Sequence, residues 1–337
     1  MPRQTYRKII VTDELLEQVN KDNLKLRDRF LREKNTRCSE LTVKNYLSDL
    51  NIFLTWNLLN NDNKFFIDIK KIDFSDFFAF CVESLKYNSA RFNRMKSCLS
   101  SLSNFVETYF DSEYPNFRNV ILKVVESMPK NEVREKTVLS DEQVDGIFQK
   151  LEELGESQIA CWFALGVASG SRFSELLRFT VDLIDESNVA FDGLFLETTK
   201  AIKTKGRGKN GKQLKKYILK EVFWDRYVSW MEKRKEIMDK NSKDHNSIFI
   251  KSNGDPASEG DARNWVKVIE DILGIPFYPH SIRHNFCTRL VKAGLPSELI
   301  VEIIGWQSED LIKTYNDSKV SEREFKELDN LRRMLNK

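Results

Sequence analysis

Two of the three histidines in this chain fall within five consecutive residues, His280-Ser281-Ile282-Arg283-His284, with an arginine between them. On a helix, residues three apart project from the same face, so His280 and Arg283 would meet a ligand together. Both side chains suit a tetrahedral oxyanion, because arginine grips phosphate oxygens through a planar fork that never loses its charge. Gly305-Trp306 follows, and then Tyr315, whose phenol could supply an attacking oxygen. Imidazole, guanidinium and phenol in this order point to chemistry on a phosphodiester.

A second arginine stands upstream. Ala168-Ser169-Gly170-Ser171-Arg172-Phe173-Ser174-Glu175-Leu176-Leu177 follows an apolar helical run, Ile159 to Val167. With this piece added, the pattern resembles the tyrosine recombinase (phage integrase) family. The shared signature is an arginine in a small-residue turn with an acid three places on, then a lysine on a β-hairpin. A His-x-x-Arg box, a Gly-His or Gly-Trp pair and a tyrosine about ten residues later complete it. An isolated His-x-x-Arg is a weak signal, whereas five pieces in register are a strong one. The likeness covers roughly the last two-thirds of the chain closely and the first third only in general character.

The resemblance implies roles for individual residues. Tyr315 would be the nucleophile, leaving a 3′-phosphotyrosyl link and a free 5′-hydroxyl. Arg172 and Arg283 would clamp the non-bridging oxygens, and His280 would bind the phosphate or accept the tyrosine proton. Trp306 stands where most members carry histidine; its indole N–H can donate a hydrogen bond but cannot act as an acid or base. Glu175 would orient this cluster from behind. The general acid would be a hairpin lysine: Lys205 is preferred because it precedes Gly206 at the turn, with Lys203 as the alternative. No metal ligand set and no Walker loop is visible, so no cofactor is expected: two arginines and a lysine supply the charge that Mg²⁺ brings elsewhere. His284 is expected to support its helix, and Cys287 reads as a small buried hydrophobe.

The surrounding sequence indicates how such residues would be positioned. From Lys200 to Lys220 the chain carries nine basic residues and no acid, punctuated by Gly206, Gly208 and Gly211. Apolar segments flank the run, Leu194 to Thr199 before and Leu214 to Leu219 after, so a β-hairpin is expected. Its turn, with Lys200, Arg207 and Lys209, would lie along a DNA backbone and release counterions. Around it the pattern is helical: Leu41 to Leu54, Asp73 to Leu85 and Ser89 to Tyr109 are amphipathic, the last with Arg91, Arg94 and Lys96 on a polar stripe. Arg91 and Arg94 are candidate DNA contacts. Ser140-Asp141-Glu142-Gln143 caps a further helix. Arg283 to Ala293 should close at Gly294, a next helix should open at Pro296 and close at Gly305, and Ser308 can cap another. Val320 to Lys337 reads as a terminal amphipathic helix; its pattern alone suits packing on its own domain, whereas the family resemblance implies docking into a neighbouring protomer, and the two readings stand even.

The fold class expected is mainly α with a small β-hairpin or sheet, in two domains. Residues 1–125 would form a helical core-binding domain that grips DNA, 126–137 a polar linker, and 138–337 a mixed α/β catalytic domain. Composition agrees with a globular protein: 337 residues, 41% hydrophobic and 31% charged, with a net charge of only +3. No apolar run reaches membrane-spanning length, and Met1-Pro2-Arg3-Gln4-Thr5 does not open a signal peptide. Five scattered cysteines without a CxxC pair read as reduced thiols of a cytoplasmic, nucleoid-associated protein.

The function expected is a site-specific DNA recombinase or integrase, metal- and ATP-independent, serving a phage or mobile element. Xer-like resolution of chromosome or plasmid dimers is the alternative within the class. A type IB-like topoisomerase and a catalytically inactive DNA-binding protein are the alternatives outside it. The partners implied are double-stranded DNA, a homo-tetramer on two duplexes formed from monomers, and a DNA-bending accessory protein.

Overall fold

The computed structural model describes residues 11–129, 139–204, 206 and 210–306. These residues divide into two compact units, the first within 11–129 and the second within 139–204 and 212–306.

The first unit is helical throughout: α1 (Asp13–Gln18), α2 (Lys21–Arg37), α3 (Glu40–Asn60), α4 (Lys71–Glu83), α5 (Ser89–Tyr109) and α6 (Ile121–Val124). Local chemistry sets the boundaries. Ser39 accepts a hydrogen bond from the Thr42 N–H at the start of α3, and Asn88 accepts one from the Arg91 N–H at the start of α5, each satisfying an orphan donor of a first turn. The core is rich in aromatic rings: Phe53 lies within 4.9 to 6.2 Å, centroid to centroid, of Trp56, Phe66, Phe74 and Phe77. Pairs of this kind add about 0.5–1.5 kcal/mol each beyond the area they bury. Residues 126–129, at the start of the expected linker, are tied to α5. Asn93 exchanges hydrogen bonds with the backbone of Met128 at 2.9 and 3.1 Å, and Lys96 Nζ reaches Ser127 Oγ at 3.0 Å.

The second unit is assembled around one helix. After α7 (Asp141–Glu153), which opens with the expected capping box of Ser140 and Gln143, comes α8 (Ser157–Ser169). Every residue of α8 from Ile159 onward is buried. A helix apolar on all sides has to be covered on all sides, and α7, α10 (Lys220–Lys240) and α12 (His280–Lys292) supply the cover. The remaining helices are α9 (Phe173–Leu176), α11 (Glu259–Leu273) and α13 (Ser297–Ile304). A three-stranded antiparallel sheet joins β1 (Val189–Ala190), β2 (Phe195–Glu197) and β5 (Tyr217–Leu219) in the order β1-β2-β5. A separate antiparallel pair joins β3 (Ile202–Thr204) to β4 (Lys212–Leu214). The two apolar segments expected to flank the basic turn therefore pair with each other, Leu196 opposite Ile218, and β3–β4 extends the same excursion toward the turn.

The molecule is thus mainly helical with small antiparallel sheets, as the sequence implied. Among the described residues no helix is long and apolar enough to cross a membrane. All five cysteines are free thiols, four of them buried.

Candidate active site

The end of α8 creates the site. Ser169 Oγ donates to the Leu165 carbonyl at 2.6 Å and lies in hydrogen-bond range of Ser171 Oγ at 2.9 Å, while the Ser171 N–H donates to Ser169 Oγ at 3.3 Å. These bonds tighten the turn, and Gly170 closes the helix in the left-handed region at φ 56°. The chain then reverses and places Arg172 at the N-cap of α9. Only a residue lacking Cβ fits here, because a methyl on Gly170 would lie 2.3 Å from Cδ1 of Phe286. The small-residue turn recognised in the sequence is therefore a steric requirement of the α8–α12 contact.

Three residues on, Glu175 is completely buried and turned back on Arg172. Its Oε2 accepts the Arg172 backbone N–H at 3.0 Å, and its Oε1 accepts the guanidinium Nη1 at 2.8 Å. A carboxylate taken from water is tolerable only when paired and hydrogen-bonded, so Glu175 fixes the arginine while satisfying itself. About a third of the Arg172 side chain stays exposed, with Glu175 behind it.

Helix α12 brings the second arginine. It packs closely on α8, where a Cβ on Gly166 would sit 2.9 Å from Ile282 Cγ2. One residue later, buried Arg283 donates from Nη1 to the Gly170 carbonyl at 2.7 Å. Its guanidinium carbon also lies 5.7 Å from the ring centre of Trp306, in range for a cation–π contact. Trp306 is itself buried, just beyond the left-handed cap Gly305 of α13. His280 opens α12 on the exposed side, and buried His284 meets it edge-on at 4.9 Å between ring centres.

One member of the cluster was overlooked in the sequence. Lys216, read there as one more charge of the basic run, is buried to 1% exposure, with Nζ 3.7 Å from Glu175 Oε2. Burial lowers its pKa to about 8; the Glu175 carboxylate opposes that fall, and Arg283 and Arg172 add to it. A signal was available, since alternation along Leu214 to Leu219 puts position 216 on the same face as buried Ile218.

The other candidates are spread more widely. Lys203 is exposed on β3, and its carbonyl accepts a hydrogen bond from Arg178 Nη1 at 2.6 Å. Lys200 is exposed and lies 3.4 Å from Asp182. In the first unit, Arg91 and Arg94 do not form a simple solvated stripe: both pair with Asp49, whose side chain is fully buried, and Arg91 also lies over the Tyr87 ring at 4.9 Å. Lys96, the third member of that stripe, is buried. Tyr315, Lys205, Arg207 and Lys209, and the helices expected from Ser308 and over Val320 to Lys337, lie outside the described residues.

Comparison with known proteins bears on this constellation. The model of the phage integrase family matches residues 137–322. The chain belongs to that family, the tyrosine recombinases. Its chemistry is accordingly the cutting and rejoining of DNA strands through a tyrosine, in the service of site-specific recombination. Among curated relatives, tyrosine recombinase XerC of Staphylococcus epidermidis is 23% identical over 271 residues, covering 79% of this chain and 83% of that one. XerC of Oceanobacillus iheyensis is 25% identical over 283 residues, 82% and 84% of the two chains. XerD of Chlorobaculum tepidum is 35% identical over a shorter stretch of 88 residues, 24% of this chain and 28% of that one. The fold is shared with a Tn1549 transposon integrase in complex with circular intermediate DNA, at a TM-score of 0.62 and 17% identity over 87% of this chain and 94% of that one. It is shared also with XerH recombinase bound to a palindromic difH substrate, at a TM-score of 0.63 and 17% identity, covering 94% and 89%.

Proposed function

We propose that the cluster of Arg172, His280, Arg283 and Trp306 holds the scissile phosphate of a DNA strand, and that Tyr315 attacks it. The observation that carries this reading is the convergence of two guanidiniums on one turn: Arg283 is anchored to the Gly170 carbonyl, two residues before Arg172. Donors fixed in advance stabilise the charge that builds on the equatorial oxygens without having to reorganise. A bond forms between the Tyr315 oxygen and phosphorus while the bond from phosphorus to the 5′-oxygen breaks. The phenolic proton passes to His280, and Lys205, with Lys203 as the alternative donor, protonates the departing 5′-oxygen to give the 5′-hydroxyl. The phosphotyrosyl link keeps the bond energy for rejoining to the incoming strand. Glu175 keeps Arg172 in place, and no metal takes part.

On this reading the biological role is integration or excision of a phage or other mobile element, which the lysine-rich excursion around β3–β4 suits as a DNA-backbone contact. The names of the curated relatives favour a second role, the Xer type of replicon dimer resolution. Either role uses a tetramer on two duplexes, assembled from monomers in the cytoplasm on nucleoid DNA, with a bending protein as accessory.

The test is recovery of covalently protein-linked DNA from cells expressing the full chain, under denaturing conditions, followed by sequencing of the linked ends. Wild type should yield one enriched sequence joined through its 3′-phosphate, and Tyr315→Phe should yield none. Linked DNA that persists in Tyr315→Phe, or its absence from wild type, would overturn the assignment. A recovered junction that closes an excised circle supports the mobile-element role, whereas one joining two copies of a replicon supports the Xer type.

A further inference from the structure

Lys216 has no place in the chemistry just described, yet it is the most completely buried lysine among the described residues, and it lies inside the cluster. Its backbone is clamped on both sides: the Thr198 N–H donates to the Lys216 carbonyl at 2.9 Å, and the Lys216 N–H donates to Thr198 Oγ1 at 2.9 Å. This pairing with the strand beside it leaves the side chain little freedom except inward. There Nζ approaches Oε2 of Glu175, the same oxygen that accepts the Arg172 backbone N–H, while the Arg172 guanidinium takes Oε1. Among the described residues, the charged groups facing it are Glu175 and Arg172 from α9 and Arg283 from α12. One carboxylate thus stands among three cations.

We propose that Lys216 is a positioning residue for phosphodiester cleavage: by balancing the buried Glu175 carboxylate, it leaves both guanidiniums with their net positive charge for the phosphate. This rests on the function proposed above. Without Lys216, Glu175 offsets one arginine, and the four groups, counted as two arginines, one lysine and one glutamate, fall from a net charge of two to one. At such short range inside a protein, one unit of charge shifts the affinity for a phosphodiester anion by about tenfold or more. Because its pKa is near 8, Lys216 would also make the site weaken as pH rises through that value.

Two measurements on the full-length protein decide the matter without needing the DNA target. In the first, heteronuclear NMR of lysine-labelled protein follows the Lys216 ammonium, assigned by its loss in Lys216→Arg. It should titrate far below the surface lysines, and Glu175→Gln should lower its midpoint further. In the second, affinity is measured by NMR titration for dimethyl phosphate, a phosphodiester that stays a monoanion throughout. Between pH 7 and 9.5 wild type should lose about tenfold, and Lys216→Met should already be that weak at pH 7. Lys216→Arg should bind like wild type at pH 7 and stay flat, a profile that a merely structural role would not produce. A Lys216 that titrates with the surface lysines, or three variants with parallel binding profiles, would overturn the proposal. If these results hold while wild type forms no covalent DNA link, the recombination chemistry fails and the charge-balancing role survives.

Discussion

Replacing Gly170 by alanine should damage stability and catalysis through one identifiable contact. At φ 56° an L-residue pays about 1 kcal/mol. The added methyl would also lie 2.3 Å from Phe286 Cδ1, and Phe286 is fully buried. Overpacking of this sort costs about 1–3 kcal/mol, so the total is about 2–4 kcal/mol. Gly155→Ala is the matched control: its φ is 70°, but nothing lies within 4 Å of the new Cβ, leaving only the backbone cost of about 1 kcal/mol. Urea unfolding followed by tryptophan fluorescence reports on the second unit, which holds Trp162, Trp224, Trp230, Trp265 and Trp306, while the first holds Trp56. Introducing Phe286→Leu together with Gly170→Ala should recover at least about 1 kcal/mol of the difference, because contacts between neighbours are not additive. Displacing the Gly170 carbonyl also removes the acceptor 2.7 Å from Arg283, and a hydrogen bond to a charged group is worth about 1.5–3 kcal/mol. Covalent adduct formation at the recovered site should then fall by ten- to a hundredfold in roughly that range. Equal destabilisation by Gly170→Ala and Gly155→Ala would show that the Phe286 contact is not the cause, and the reasoning would fail.

Other consequences are open to measurement. Asp49→Asn removes a fully buried carboxylate that pairs with Arg91 and Arg94, leaving two cations facing each other, and should cost about 3 kcal/mol in thermal unfolding. Arg94→Ala, which removes the more exposed partner, should cost about 1 kcal/mol, and an Asp49→Asn protein as stable as wild type would rule out a structural role for the triad. Lys216 makes stability depend on pH: it titrates at about 8 when folded and near the ordinary 10.5 when unfolded, so between those values the unfolded chain holds more protons. Stability therefore rises with pH across that window, by up to about 3 kcal/mol relative to Lys216→Met. Urea midpoints at pH 7, 8.5 and 10 measure it, and parallel curves for the two proteins would refute the burial argument.

Much of the site was legible in the linear sequence because its signals are local. A His-x-x-Arg box needs only the helical period to put both side chains on one face, and the left-handed caps at Gly170 and Gly305 follow from glycine ending an apolar run. The hairpin was readable for the same reason: β-prone segments flank a glycine-punctuated turn, and they pair as expected. Arg91 and Arg94 were harder, since a basic stripe on a helix looks alike whether it faces water or, as here, covers a buried aspartate some forty residues earlier in the chain.

By itself, the sequence determined the elements, the order of the reactive residues and the class of chemistry, all of which depend on periodicity and near-neighbour spacing. The tertiary structure alone decided which charges are spent inside the protein. Nothing in the chain's order says that the Gly170 carbonyl takes the Arg283 guanidinium, or that Glu175 stands between Arg172 and Lys216. Those partnerships span up to 113 positions. They arise because α8, apolar on every side, must be covered, and the helices and strands that cover it carry Arg283 and Lys216 with them into a space where a charge cannot remain without a partner.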